Sequence, residues 1–186
     1  MTPQEADLVK ACLNKDKKAQ RILFDNYSRV LFGLCLRYAK DRSEAHDMLQ
    51  EGFMKIYSNL DKFRGDSKLE TWMYRVMMNA CLQLLKSKKD WLEYTEEDVE
   101  LDNLSEEQPE FEESALGLSE QLLLEMIDSL PTGYRTVFNM YVFEGYTHKE
   151  IAEYLGISPN TSKTQLMKAR KHLQEQIKNK SMVTHG

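Results

Sequence analysis

Apolar residues recur along this chain at helical spacing, in two separate blocks, and nowhere with the strict alternation of a strand. In the first block Ile22, Leu23, Tyr27, Val30, Leu31, Leu34, Cys35 and Tyr38 mark one long helix, with Phe24, Phe32 and Leu36 widening its stripe. A stripe that wide predicts a central place in a bundle. Asp41 and Glu44 cap a second helix, whose buried face is Ala45, Met48, Leu49, Gly52, Phe53, Ile56, Tyr57 and Leu60. That register leaves His46, Asp47, Gln50, Glu51 and Lys55 outward. After a polar break, Lys62-Phe63-Arg64-Gly65-Asp66, a third helix is predicted to open with a Ser67-x-x-Glu70 capping box. It turns Leu69, Trp72, Met73, Val76, Met77, Ala80, Cys81, Leu84 and Leu85 inward. Its other face carries Tyr74, Arg75, Met78 and Asn79, then Lys86, Lys88 and Lys89.

The second block starts near Leu118. Leu122, Leu123, Met126, Ile127 and Leu130 define a helix broken at Pro131, and Tyr134, Val137, Phe138, Tyr141 and Val142 define another before Gly145. Two short helices hinged at Gly156 follow. Thr147 and Glu150 form a capping box, Ile151, Ala152 and Leu155 line one face, and Gly156 suits a left-handed helix end. Ser158 and Pro159 then supply an N-cap and a proline at the first helical position. Along the second helix Leu166, Ala169 and Leu173 face inward, and Asn160, Thr161, Lys163, Thr164, Gln165, Lys168, Arg170 and Lys171 point out. The pattern fits a helix-turn-helix reading base edges in a major groove. Taken alone, it fits a plain helical hairpin with a solvated face equally well.

Residues 90–117 lack periodicity, and Asp90 to Glu120 holds thirteen acids and no Lys or Arg. Such a stretch cannot bury enough surface to offset chain entropy and reads as a flexible acidic linker. The fold class is therefore all-α: two small helical domains, residues 1–89 and 118–180, with the linker between them and a helix-turn-helix closing the second. The net charge of −5 over 186 residues misleads, because without the acidic stretch 17 acids face 25 bases, a net of +8. Two basic bodies flank an acidic connector. Cys12, Cys35 and Cys81 lack C-x-x-C spacing and read as buried thiols. His46, His148, His172 and His185 are scattered and form no metal or triad pattern. With no Gly-rich phosphate loop, the chain reads as non-enzymatic, with no cofactor, no metal and no small-molecule substrate. No apolar run reaches membrane-spanning length and the N-terminus lacks a signal-peptide core, so a cytoplasmic protein without membrane insertion is expected.

Phe63, Arg64, Trp72, Tyr74, Arg75, Asn79 and the Lys86 to Lys89 cluster interleave aromatic and basic groups, which suits single-stranded nucleic acid. A core Trp72 beside a solvated lysine end accounts for the same residues. The order of the parts is more specific. Over nearly its whole length the chain resembles the extracytoplasmic-function group of bacterial RNA polymerase sigma factors. Asp41 to Leu60, with Asp47-Met48-Leu49-Gln50-Glu51 at its centre, is similar to the core-polymerase-binding helix. Phe63 to Lys89 is similar to the promoter −10 region, and Leu130 to Leu173, opening with Leu130-Pro131 and Arg135, to the −35-binding domain.

The resemblance implies a sigma factor that binds core RNA polymerase and promoter DNA, with an anti-sigma factor as a further partner. It implies that Asp47, Gln50 and Glu51 dock on the clamp helices of the large polymerase subunit. Phe63, Arg64, Gly65, Asp66 and Ser67 would capture a flipped base of the −10 element, and Arg75 and Asn79 would contact that strand. In the −35 groove Lys163, Thr164, Gln165 and Lys168 would lie nearest the bases, beside Asn160 and Thr161, with Arg170 and Lys171 on phosphate. The acidic linker would thread polymerase channels that otherwise hold nucleic acid. Three departures stand out: Ser162 replaces a common buried Val, Gln165 a frequent Arg, and Met77-Met78 an Ala-Arg pair. A dimeric helix-turn-helix regulator of duplex DNA is the alternative from another class, and a helical adaptor that never touches DNA is a third.

Overall fold

The computed structural model describes residues 2–87 and 119–184, so the acidic stretch at 90–117, with Lys88 and Lys89, lies outside the described residues. Among the described residues helices are the only regular elements. The chain divides into two compact units, with the break between Ser87 and Lys88.

In the N-terminal unit, α1 (Pro3–Leu13) starts at a capping box formed by Thr2 and Glu5. Next, α2 (Lys17–Tyr38) is capped by Asp16, whose carboxylate accepts from the amides of Lys18 and Ala19. The Asp41 side chain caps α3 (Arg42–Asn59) through the Glu44 amide, and the buried Glu44 carboxylate accepts from the Lys40 amide at 2.5 Å. A single 3-10 turn, Leu60–Lys62, ends that helix before α4 (Leu69–Lys86) begins. The α3–α4 pair packs through Gly52, where an added Cβ would stand 2.0 Å from Sδ of Met77. Bare backbone there lets the buried Met77 seat directly over α3. Leu23, Leu31, Leu34, Tyr38, Met48, Ile56 and Met73 complete the core, each full burial contributing ~1.5–3 kcal/mol relative to exposure. The three cysteines are free and buried, as their spacing suggests, with Sγ of Cys35 and Cys81 at 3.9 Å. The contact with Cys35 and burial both hold the Cys81 thiol well above its ordinary value, so it stays protonated.

Four expectations for this unit change. No Ser67 capping box forms, because α4 starts one residue later with Lys68 as its N-cap and no side-chain bond there. Met78 is buried, not outward, because α4 packs against both α2 and α3 and hides a wide arc. Conversely, Ile22 and Val30 are 50% and 48% exposed, and Leu36 is also exposed, since α1, α3 and α4 cover only part of the circumference of α2. Trp72 is half-buried and packs on Phe63, ring centroids 5.5 Å apart.

The C-terminal unit holds α5 (Glu120–Asp128), α6 (Thr132–Val142), α7 (His148–Leu155) and α8 (Pro159–Thr184). Arg135, buried on α6, donates to the Asp128 carbonyl at 2.7 Å and so satisfies an orphan acceptor at the end of α5. Its core is Met126, Leu130, Val137, Met140, Ile151, Leu155, Leu166, Ala169, Leu173 and Ile177. Tyr141 and Val142, expected inside, are exposed at the last turn of α6, while Asn139 and Met140 take the buried positions. The closing helix also outruns the expected boundary at residue 180.

Candidate nucleic-acid and docking surfaces

The hinge of the C-terminal unit is built as its local sequence dictates. Thr147 Oγ1 accepts from the Glu150 amide at 3.3 Å, and the Glu150 carboxylate accepts from the Thr147 amide at 2.8 Å. The Thr147 hydroxyl also donates to that carboxylate at 2.7 Å, and the two bonds it accepts, the backbone one first, hold the Glu150 carboxyl below its ordinary value. Gly156 takes φ 72°, a left-handed end that costs glycine nothing. Ser158 Oγ accepts from the Thr161 amide at 2.9 Å and starts α8. On α8 the exposed side chains Asn160, Lys163 and Lys171 share one face with the half-buried Thr164 and Lys168. Arg170 turns toward the side, with Cζ 5.9 Å from the centre of the Tyr141 ring. Gln165 is different. It is 1% exposed and lies over Gly133 of α6, so its expected outward position at the bases is corrected. Ser162, Gln165, Leu166 and Ala169 fall on one arc by the i, i+3, i+4 rule, and the missing Cβ of Gly133 makes room for the amide.

In the N-terminal unit the loop before α4 reverses at Gly65, with φ 79°. Arg64 and Asp66 are exposed, and Phe63, Gly65 and Ser67 are half-buried, with Phe63 anchored on Trp72. On α4, Arg75 is exposed and Asn79 half-buried, while Tyr74 is held by a hydrogen bond from Arg37 of α2. A second row of polar side chains lies on α3. Asp47 and Gln50 are exposed, and Glu51 is half-buried 3.7 Å from the Lys55 ammonium. Lys55 also donates to Gln83 of α4 at 2.5 Å, which fixes the end of that row.

A family model described as sigma-70 region 2 matches residues 23–90, and one described as sigma-70, region 4 matches residues 120–173. The RNA polymerase sigma-H factor of Pseudomonas aeruginosa is 28% identical over 94% of this chain and 94% of its own length. The ECF RNA polymerase sigma-E factor of Haemophilus influenzae is 29% identical over 91% of this chain and 93% of its own. The chain belongs to the extracytoplasmic-function group of the sigma-70 family. A solved sigma factor from Bartonella quintana, RpoE in complex with the anti-sigma factor NepR, has the same fold. It aligns at TM-score 0.50 and 18% identity over 85% of this chain and 96% of that one.

In this sigma factor the region 2 model contains α3, the Phe63 to Ser67 loop and Arg75 with Asn79, and the region 4 model contains the hinge and the outer face of α8 up to residue 173. Two residues of these faces escaped the reading of the sequence. Met54 is 60% exposed on α3, one turn beyond Gln50 and Glu51 on the same face, an apolar centre among polar neighbours. Met167 is half-buried between Lys163, Thr164 and Lys171 on the outer face of α8. Both were legible as register positions at i+4, i+7 or i+3 from residues already assigned, but an apolar side chain gave no reason to look outward. Among the described residues no helix is long and apolar enough to cross a membrane, and no group of three His, Cys, Asp or Glu is placed to hold a metal.

Proposed function

We propose that this chain is the specificity subunit of a bacterial RNA polymerase: it joins the core enzyme and directs initiation at promoters carrying its own −35 and −10 elements. The observation that carries this is the presence on one chain, in order, of sigma-70 regions 2 and 4, each within its own compact helical unit. Asp47, Gln50 and Glu51 on α3, with Met54 beside them, dock on the polymerase clamp. An exposed apolar side chain ringed by polar groups suits an interface anchor. The turn at Gly65 presents Arg64 and Asp66 to an extruded −10 base, while Arg75 and Asn79 hold the strand, so duplex opening draws on binding energy alone. Lys163, Thr164 and Lys168 read the −35 major groove, each good bidentate base contact supplying ~1–3 kcal/mol of discrimination. Asn160 and Thr161 flank them, and Lys171 and Arg170 contact phosphate. An anti-sigma factor is the further partner that family membership suggests.

Run-off transcription with purified core polymerase tests the proposal. Promoter-dependent transcripts are expected only when this chain is added to core. Binding of duplex DNA by the chain alone, as a dimer on paired half-sites and with no affinity for core, would establish the regulator reading instead.

A further inference from the structure

Ser162 lies beneath α8 with 0% exposure, where a hydroxyl has no water to bond. Its Oγ meets Nδ1 of His148, the first residue of α7, at 3.0 Å. The His148 ring stacks on Tyr141 of α6, with centroids 4.7 Å apart and planes inclined by 22°. Arg170 of α8 stands over that same tyrosine, its Cζ 5.9 Å from the ring centre. One run of contacts therefore leaves α8 at Ser162, crosses α7 and α6, and returns to α8 two turns later, roughly 12 Å along its axis.

We propose that His148 is a positioning residue for −35 recognition: through Ser162 and Tyr141 it fixes the rotation and tilt of α8, and so where Lys163, Thr164 and Lys168 fall across the groove. This rests on α8 being the helix that reads the −35 duplex. Two anchors two turns apart constrain both angles, whereas one leaves the tilt free. An aliphatic side chain at 162 packs without directional preference, but a hydrogen bond holds its partners within a narrow range of angle and distance. Burial, and then the charges of Lys163 and Arg170, push the imidazole below its ordinary value, so near neutral pH it is an uncharged partner for the hydroxyl.

The test uses the full chain. A duplex is selected from a randomised pool by the wild-type chain, and affinity for it is compared with affinity for a scrambled duplex. His148→Phe keeps a ring against Tyr141 and orphans the Ser162 hydroxyl; Ser162→Val removes the hydroxyl and crowds the imidazole. Each is expected to lower the ratio of selected to scrambled affinity roughly three- to tenfold, the range of one hydrogen bond. The double variant, apolar on both sides, is expected to recover to within about twofold of wild type, with salt slopes unchanged throughout. Should His148→Phe fail to fold, Ser162→Ala, which deletes only the hydroxyl, is read in the same assay and is expected to lose about threefold. An unchanged ratio in the variants, or a double variant losing the product of the two single losses, overturns the proposal. So does a salt slope lowered by about one in His148→Phe, which would make His148 a phosphate contact. A wild-type chain that selects no duplex sequence sinks the −35 reading beneath it instead.

Discussion

Gln165 carries a primary amide into the interior of the C-terminal unit, where a Cβ added at Gly133 would stand 2.8 Å from its Oε1. Gln165→Ala is therefore expected to cost about 1–3 kcal/mol of folding stability, because it empties the buried space over Gly133 that the side chain fills. The selected −35 sequence should stay the same. Thermal melts and duplex selection with the variant separate the two effects, and an altered base preference would return Gln165 to the groove. His148 makes the unit sensitive to acid. Its folded value lies below the ordinary 6.5, so below that pH the unfolded chain binds the proton more tightly than the folded one does. The stabilising contribution is complete above about pH 6.5 and is lost as pH falls through the folded value. The melting temperature of the C-terminal unit should fall between pH 7.5 and 5.5 by more in wild type than in His148→Phe.

Among the elements, α3 carries two faces with opposite demands. Its inner face needs Gly52, since Met77 of α4 occupies the space a Cβ would fill. Gly52→Ala forces that buried side chain aside and is expected to cost ~1–3 kcal/mol, seen as a lower denaturant midpoint for the N-terminal unit. The outer face carries Gln50, Glu51 and Met54. Met54→Ala should leave stability within about 0.5 kcal/mol, since the side chain is 60% exposed, yet weaken core-polymerase binding roughly tenfold. A loss of stability that matches the loss of binding would place Met54 in the fold and not in the interface. Caps explain why the hinge between α7 and α8 was readable beforehand. Thr147, Glu150, Gly156 and Ser158 act over at most four residues, so each follows from its neighbours in the chain. The Ser67 box failed for a tertiary reason: Leu69 and Met73 are fully buried, and seating them starts α4 at Leu69.

At the scale of the whole molecule, charge is segregated, not balanced. The thirteen acids between Asp90 and Glu120 conceal a remainder that is net positive, which is what a phosphate backbone meets. Lys163→Ala combined with Lys168→Ala is expected to reduce the salt slope of −35 binding by roughly two if both side chains displace counterions. An unchanged slope would place both lysines away from the backbone. Gln50→Ala with Glu51→Ala should weaken core binding while leaving duplex binding by the other unit unaltered. Parallel loss of both activities would point to misfolding.

The all-helical class, the division into two bodies, the capped hinge and the order of the sigma regions all follow from the sequence, because periodicity, caps and motif spacing are local properties. What tertiary structure decided is which side of a helix a polar residue takes when both are chemically open to it. Gln165 reads as an amide among basic neighbours and yet turns inward, because Gly133 leaves a gap on α6, while Ser162, at a position the family resemblance marks as commonly buried, finds its partner in His148 fourteen residues upstream. His148 looked like a stray histidine until folding brought it between Tyr141 and Ser162. Such pairings depend on how helices distant in sequence cross, and no local pattern records that crossing.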